Sequence, residues 1–230
     1  MFERKPSILV ENKPSGEVLI SSGYKPTEPI TSIVALLEQS AVRYPDRVVV
    51  AEKNENGHYV GLSYREAFEQ ASAVAEQLLA FGGSQETPLM ILSGASRAHF
   101  VVASAAMMAG VPYVPVSTSY TAVEAAFSKL QAVFEKTRPR FIWSDCYADQ
   151  EHALTTAGIT AASVIWLGSR DNKQSTPLAT TVSPAGESRV KVRAASLGRD
   201  TIARYMFTSG STGSPKGVIH THGMVGAMLA

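Results

Sequence analysis

Cysteine is almost absent from this sequence: Cys146 stands alone among 230 residues. With no second cysteine it forms no disulfide within the chain, which excludes the disulfide framework of a small secreted domain and fits a reducing compartment. No basic residue beside it lowers its thiol pKa, so it reads as a packing residue rather than a nucleophile. Excess charge of one sign is missing as well. Twenty-one Lys and Arg against 20 Asp and Glu leave a net charge of +1, too weak a field to gather nucleic acid or an anionic membrane. Long apolar runs are also lacking. The longest, Phe100 to Val111, contains Ser104 and is too short to span a bilayer. The opening Met1-Phe-Glu-Arg-Lys-Pro-Ser7 has charges but no apolar stretch behind them, unlike a secretory signal. No internal repeat or low-complexity tract interrupts the sequence. These absences predict a cytoplasmic globular protein, and an apolar fraction of 45% supplies its core.

What is present alternates. Residues 1–29 read as an extended lead-in. Ile33, Val34, Leu36, Leu37 and Ala41 recur at helical spacing up to Tyr44-Pro45. Val48 to Ala51 and His58 to Leu62 predict two strands around the turn Asn54-Glu-Asn-Gly57. Ser63-Tyr-Arg-Glu66 has the form of a capping box and opens a helix closed by Gly82-Gly83. Short apolar strands at Leu89–Leu92, Tyr113–Val116, Phe141–Trp143 and Val164–Leu167 then alternate with helices. These helices are expected from Arg97 to Ala109, from a second capping box at Thr121-Ala-Val-Glu124 to Lys136, and from Asp145 through Ala157. Such alternation means βαβ units, hence an α/β fold with a mainly parallel sheet flanked by helices. Residues 168–200 are rich in Ser, Thr, Arg and Pro and read as a surface connection. There Arg189, Lys191 and Arg193 would line one side of an extended segment, read as a solvated face.

The chemistry concentrates near the end. Thr208-Ser-Gly-Ser-Thr-Gly-Ser-Pro-Lys-Gly217 packs three glycines, five hydroxyl side chains and one lysine into ten residues. It lies between the strand-like runs Ile202–Phe207 and Val218-Ile219. Gly210, Gly213 and Gly217 would let successive amides turn inward around an anion. The hydroxyls of Thr208, Ser209, Ser211, Thr212 and Ser214 would donate to phosphate oxygens. Lys216 would add a mobile point charge, and Pro215 stiffens the turn before it. A Walker A loop requires Gly-Lys-Ser/Thr opening a helix; here Pro215 precedes the lysine, Gly217 follows it, and a strand comes next.

At this point the loop resembles the phosphate-loop signature of the adenylate-forming superfamily, which holds acyl-CoA and aryl-CoA ligases, luciferases and peptide-synthetase adenylation domains. Leu62-Ser-Tyr-Arg-Glu-Ala67 and Met108-Ala-Gly-Val-Pro-Tyr-Val-Pro-Val116 are similar to two upstream motifs of that family, in the same order. Within it, Met90 to Ser117 and Thr201 to Thr208 look most like feruloyl-CoA synthase and related aryl-CoA ligases. The resemblance implies an ATP- and Mg2+-dependent acid–CoA ligase. An aromatic acid such as ferulate would form an acyl-adenylate and then a thioester with coenzyme A. Another adenylating enzyme (a fatty acyl-CoA ligase or a carrier-loading domain) or a non-catalytic nucleotide-binding remnant are the rival readings. By the resemblance Thr208, Ser209, Gly210, Ser211, Thr212, Gly213, Lys216 and Gly217 hold the phosphates, and Lys216 is the catalytic cation.

The family's later elements are not found: the Tyr-Gly-x-Thr-Glu glutamate for Mg2+, the ribose-binding aspartate, the hinge and the small domain with its own lysine. With the apolar half-helix Gly223–Ala230 at its end, the sequence is expected to be the N-terminal part of an AMP-binding domain, 1–230. It would then hold one edge of the ATP site. Thr221-His222 resembles a Thr-His pair that follows the loop in CoA ligases, so His222 is a candidate for lining the acyl site; an ordinary strand-end histidine is the plain alternative. His220 and His222 would share one face of a strand. His-x-His can hold a metal, but no third ligand is visible, so no metal site is expected. His58, His99 and His152 carry no signal of their own.

Overall fold

The computed structural model describes residues 7–24, 32–160, 164–168, 175–208 and 214–228. Strands β1 (Ile8–Asn12) and β2 (Val18–Ser22) form an antiparallel hairpin turned at Gly16, whose φ is 86°. The expected lead-in is thus extended but paired, and apolar side chains such as Ile8 and Ile20 stay exposed. Helix α1 (Ile33–Arg43) starts where the Ser32 hydroxyl accepts from the Val34 amide, and it ends before Pro45. A second hairpin, β3 (Val48–Lys53) and β4 (Tyr59–Ser63), turns at Gly57 as expected. Helix α2 (Tyr64–Ala80) opens on a complete capping box. The Glu66 amide donates to the Ser63 hydroxyl, and the Glu66 carboxylate accepts from the Ser63 amide at 2.8 Å.

The α/β core follows. Strand β5 (Leu89–Leu92) leads to helix α3 (Arg97–Ala109), which stops at Gly110 in the left-handed conformation, φ 62°. Strand β6 (Tyr113–Pro115) is followed by a short helix α4 (Ser119–Ala122), a 3-10 turn over Glu124–Ala126 and helix α5 (Phe127–Thr137). The capping box expected at Thr121–Glu124 does not form. Val123 is extended and separates the two turns, while the Thr121 hydroxyl donates to the Thr118 carbonyl instead of accepting an amide. Strand β7 (Phe141–Ser144), helix α6 (Glu151–Thr156) and strand β8 (Ile165–Leu167) come next. Helix α6 starts later than Asp145. Residue 150 is committed elsewhere: the buried Gln150 amide accepts from the Ser144 hydroxyl and donates to the Leu92 carbonyl, each at 2.9 Å.

Helix α7 (Pro184–Ala195) corrects the reading of 168–200 as an extended connection. Ser183 caps it, Pro184 starts it, and one narrow stripe with Gly186 and Val190 is buried, too little for an apolar period to show. The three cations therefore do not line a strand. Lys191 pairs with Glu187, Arg189 approaches Glu76, and the Arg193 Nε caps the end of α3 by donating to the Ala109 carbonyl at 3.0 Å. Strand β9 (Ile202–Thr208), strand β10 (Lys216–Thr221) and helix α8 (His222–Ala227) complete the described chain.

The main sheet has the order β10-β9-β6-β5-β7-β8, parallel except for the β9–β10 pair. Every residue of β5 is buried, as expected for a central strand covered on both faces. Leu89 and Ile91 pack with α2 and α3 through Ala67, Val74, Leu78, Val102, Ala106 and Met108. Met90 and Leu92 pack with Phe127, Leu130, Val133 and Leu154 of α5 and α6. Gln85 stitches β9 in place: its amide nitrogen donates to the carbonyls of Gly110 and Ile202, and its oxygen accepts from the Ile202 amide. Among the described residues no helix is long and apolar enough to cross a membrane.

Candidate phosphate-loop site

The chain leaves β5, β6 and β9 at the same end of the sheet, because these three strands run parallel. Sequential connections from β5 go to β6 on one side and then to β7 on the other, and α/β proteins of this kind bind ligands at the carboxyl ends of the strands. The Gly-Ser-Thr segment starts there, at Thr208. Its five central residues, Ser209, Gly210, Ser211, Thr212 and Gly213, lie outside the described residues. The two arms that carry them are described.

Thr208 and Lys216 are cross-strand partners in the β9–β10 ladder, so their side chains emerge on one face, and both residues are exposed. Strand alternation puts the pair Arg204 and His220 on that same face, four residues along. Arg204 donates from Nε to His220 Nδ1 and from a terminal nitrogen to the Tyr113 hydroxyl, each at 3.1 Å. The alternate positions, Tyr205 and Phe207, pack on the opposite face with the α5 and α6 cluster, and burial raises the Tyr205 hydroxyl pKa. Gly217 lies opposite Phe207 in the ladder. Its φ is outside the left-handed region. A Cβ there would meet the Phe207 ring at 3.2 Å, which is the closer reason for glycine.

The outgoing arm is held from α5. The exposed Lys136 ammonium donates to the Pro215 carbonyl at 2.6 Å and to the Ser214 hydroxyl at 3.3 Å. Sequence reasoning missed this contact. A lysine in the last turn of a helix reads as a complement to the helix dipole, and nothing local marks a partner 79 residues away.

His220 and His222 do not share a strand face. The ladder shifts register between His220 and Thr221, and α8 begins at His222, with the Thr221 hydroxyl accepting from the Met224 amide. The His222 ring is fully buried, and neither nitrogen has a hydrogen-bond partner among the described residues. That burial pushes its pKa down from 6.5 to about 4. His99, which carried no signal in the sequence, sits beside the buried Ser93 hydroxyl at 2.9 Å, and desolvation lowers its pKa. Among the described residues no group of three His, Cys, Asp or Glu side chains gathers to hold a metal ion.

The described residues thus form an α/β domain with a mainly parallel sheet, and the two arms of the hydroxyl- and glycine-rich segment sit at the carboxyl end of β9. A family model for AMP-binding enzymes matches residues 37–230, and the chain belongs to that family. Phosphinothricin tripeptide synthetase PhsC of Streptomyces viridochromogenes is 27% identical over 193 residues, which are 84% of this chain and 16% of that protein. N-(5-amino-5-carboxypentanoyl)-L-cysteinyl-D-valine synthase of Amycolatopsis lactamdurans is 28% identical over 196 residues, 85% of this chain and 5% of that protein. The chain thus spans a small part of these curated relatives. Among solved structures, a fatty acyl-adenylate ligase from L. pneumophila in complex with acyl adenylate and pyrophosphate shares the fold. The TM-score is 0.61 at 21% identity, over 83% of this chain and 30% of that one. McyG A-PCP complexed with phenylalanyl-adenylate gives 0.61 at 20% identity, over 85% and 29%.

Proposed function

We propose that these residues form the phosphate-binding edge of an enzyme that activates a carboxylic acid as its adenylate. The observation that carries the reading is the pairing of exposed Thr208 and Lys216 at the mouth of the Gly-Ser-Thr segment, at the carboxyl end of a parallel sheet. Family membership supports ATP as the nucleotide. A carboxylate oxygen attacks the α-phosphorus, the bond to the β-phosphate oxygen breaks, and pyrophosphate leaves. An anion attacking a polyanion needs positive charge and donors placed before the reaction begins. Thr208, Ser209, Gly210, Ser211, Thr212, Gly213 and Gly217 cradle the β- and γ-phosphates. Lys216, on a flexible stem, follows the charge that accumulates on the leaving pyrophosphate. Magnesium takes oxygen ligands and keeps them largely from phosphates and water, so it arrives on the nucleotide. The described residues gather no carboxylate cluster for it.

In the second half-reaction a thiol sulfur attacks the acyl carbon and AMP leaves. The texture of Met90–Ser117 and Thr201–Thr208 supports an aromatic acid with coenzyme A as the thiol. The buried, neutral His222 ring suits the wall of an apolar acyl site. The peptide-synthetase relatives support a second reading, in which the acid is an amino acid and the thiol belongs to a carrier protein. ATP–pyrophosphate exchange by the protein expressed from its complete reading frame tests the shared step, with ferulate and other aryl acids, fatty acids and amino acids offered in turn. Exchange that depends on one acid class supports the reading, and the acceptor follows from thioester formation with CoA or a carrier. Absence of exchange with every acid overturns it.

A further inference from the structure

We infer that Lys136 is a positioning residue for Lys216: it clasps the outgoing arm of the phosphate loop so that Lys216 starts its strand in one fixed place. This rests on the phosphate role proposed above for Lys216. The Lys136 ammonium donates to the Pro215 carbonyl at 2.6 Å, a short charge-assisted contact, and to the Ser214 hydroxyl at 3.3 Å. The Pro215 carbonyl belongs to the peptide plane that also carries the Lys216 amide, so holding that oxygen orients the plane. On its other side the Lys216 backbone is registered against Thr208. The proline ring restricts φ one residue earlier and is itself buried. Three restraints therefore converge on the backbone of a residue whose side chain makes no hydrogen bond or ion pair among the described residues.

The placement of Lys136 argues for positioning rather than direct phosphate contact. It comes from α5, whose core residues pack with Phe207 and Tyr205. Strand alternation puts the Lys216 side chain on the opposite face, with Thr208 and Arg204. Lys136 thus spends its donors on the backbone and hydroxyl of the outgoing arm, from the face opposite the Lys216 side chain. A misplacement of a reacting charge by a fraction of an ångström is enough to lower rate.

The test uses the protein from its complete reading frame, with Lys136→Ala, Lys136→Arg and Lys216→Ala. Two quantities are read: kcat/KM for ATP in pyrophosphate exchange, and the rate at which trypsin cuts after Lys216. For Lys136→Ala we expect kcat/KM for ATP to fall about fivefold and cleavage to rise by a similar factor, the scale of one exposed charged hydrogen bond. The fall shows as a higher KM for ATP, whereas a general loss of folded protein would lower kcat alone and leave every KM unchanged. Lys136→Arg restores both readouts, because guanidinium still donates to the carbonyl. Wild-type values for Lys136→Ala, with Lys216→Ala impaired, overturn the clasp alone. Wild-type exchange by Lys216→Ala overturns the phosphate role and the clasp with it.

Discussion

Replacing His222 with leucine should make the protein more resistant to acid, by an amount the structure sets. The ring is fully buried and unpartnered among the described residues, and desolvation alone depresses its pKa from 6.5 to about 4. In the folded chain it stays neutral down to about pH 4, whereas in the unfolded chain it takes a proton near pH 6.5. Above pH 6.5 both states are neutral there and the group contributes no pH dependence. As pH falls from 6.5 toward 4, only the unfolded state binds the proton, so stability is lost across that window. With each pKa unit equal to ~1.4 kcal/mol, the loss approaches about 2–3 kcal/mol at pH 4.5. Other groups also titrate in this window, among them His99, so the decisive quantity is the difference between wild type and His222→Leu. Urea unfolding at pH 7.5 and pH 4.5 measures it. We expect the variant to gain about 2–3 kcal/mol on wild type between those two pH values. Leucine also removes two buried nitrogens without partners, so the variant should lose little at pH 7.5. A stability difference that is the same at both pH values would refute the reasoning.

Three further outcomes follow from the same geometry. Ser63→Ala removes the hydroxyl that receives the Glu66 amide and should cost about 1 kcal/mol in chemical denaturation. Glu66, whose carboxyl the Ser63 amide and hydroxyl hold below its usual range, stabilises the fold above its unfolded pKa, and that contribution fades as pH falls through the folded value. Gly110→Ala should lower the melting temperature by roughly 4–8 °C, about 2 kcal/mol, because φ is 62° and a Cβ would press on the Arg193 guanidinium and Leu197 at 2.7–2.8 Å. In the protein from its complete reading frame, Lys216→Ala should slow adenylation about 100-fold in single-turnover assays. Thioester formation from supplied acyl-adenylate should stay within a few-fold; equal losses in both halves would refute the phosphate role.

The parallel strands β5 to β8 were legible because each is a short apolar run with a clear stop. Leu89–Leu92 is buried on both faces and could not be amphipathic, and Gly110 supplied the left-handed turn that separates α3 from β6. Local chemistry deceived where another contact outbid it. Thr121 and Glu124 have the spacing of a capping box, yet Thr121 is buried and its hydroxyl goes to the Thr118 carbonyl. Asp145 looks like a cap, but Gln150 spends the following turn tying β7 to β5. Helix α7 escaped notice because two buried residues are too few to make a period, and its arginine finds its partner on a different helix.

The same contrast runs through the candidate site. The loop's residue types pointed to the phosphate role proposed above, because glycines, hydroxyls and a lysine can gather amides and donors around an anion. What aims the lysine is not in that segment. The register of Lys216 with Thr208 comes from the β9–β10 ladder, the place of β9 comes from Gln85 reaching across to Gly110 and Ile202, and the hold on Pro215 comes from Lys136 on α5. Gln85 and Lys136 are each an ordinary surface or loop residue when read in sequence. The loop supplies the donors, and the αβ framework behind it decides where the one mobile charge begins. A change at Gln85 or Lys136 should therefore disturb phosphate binding without touching any residue of the signature itself.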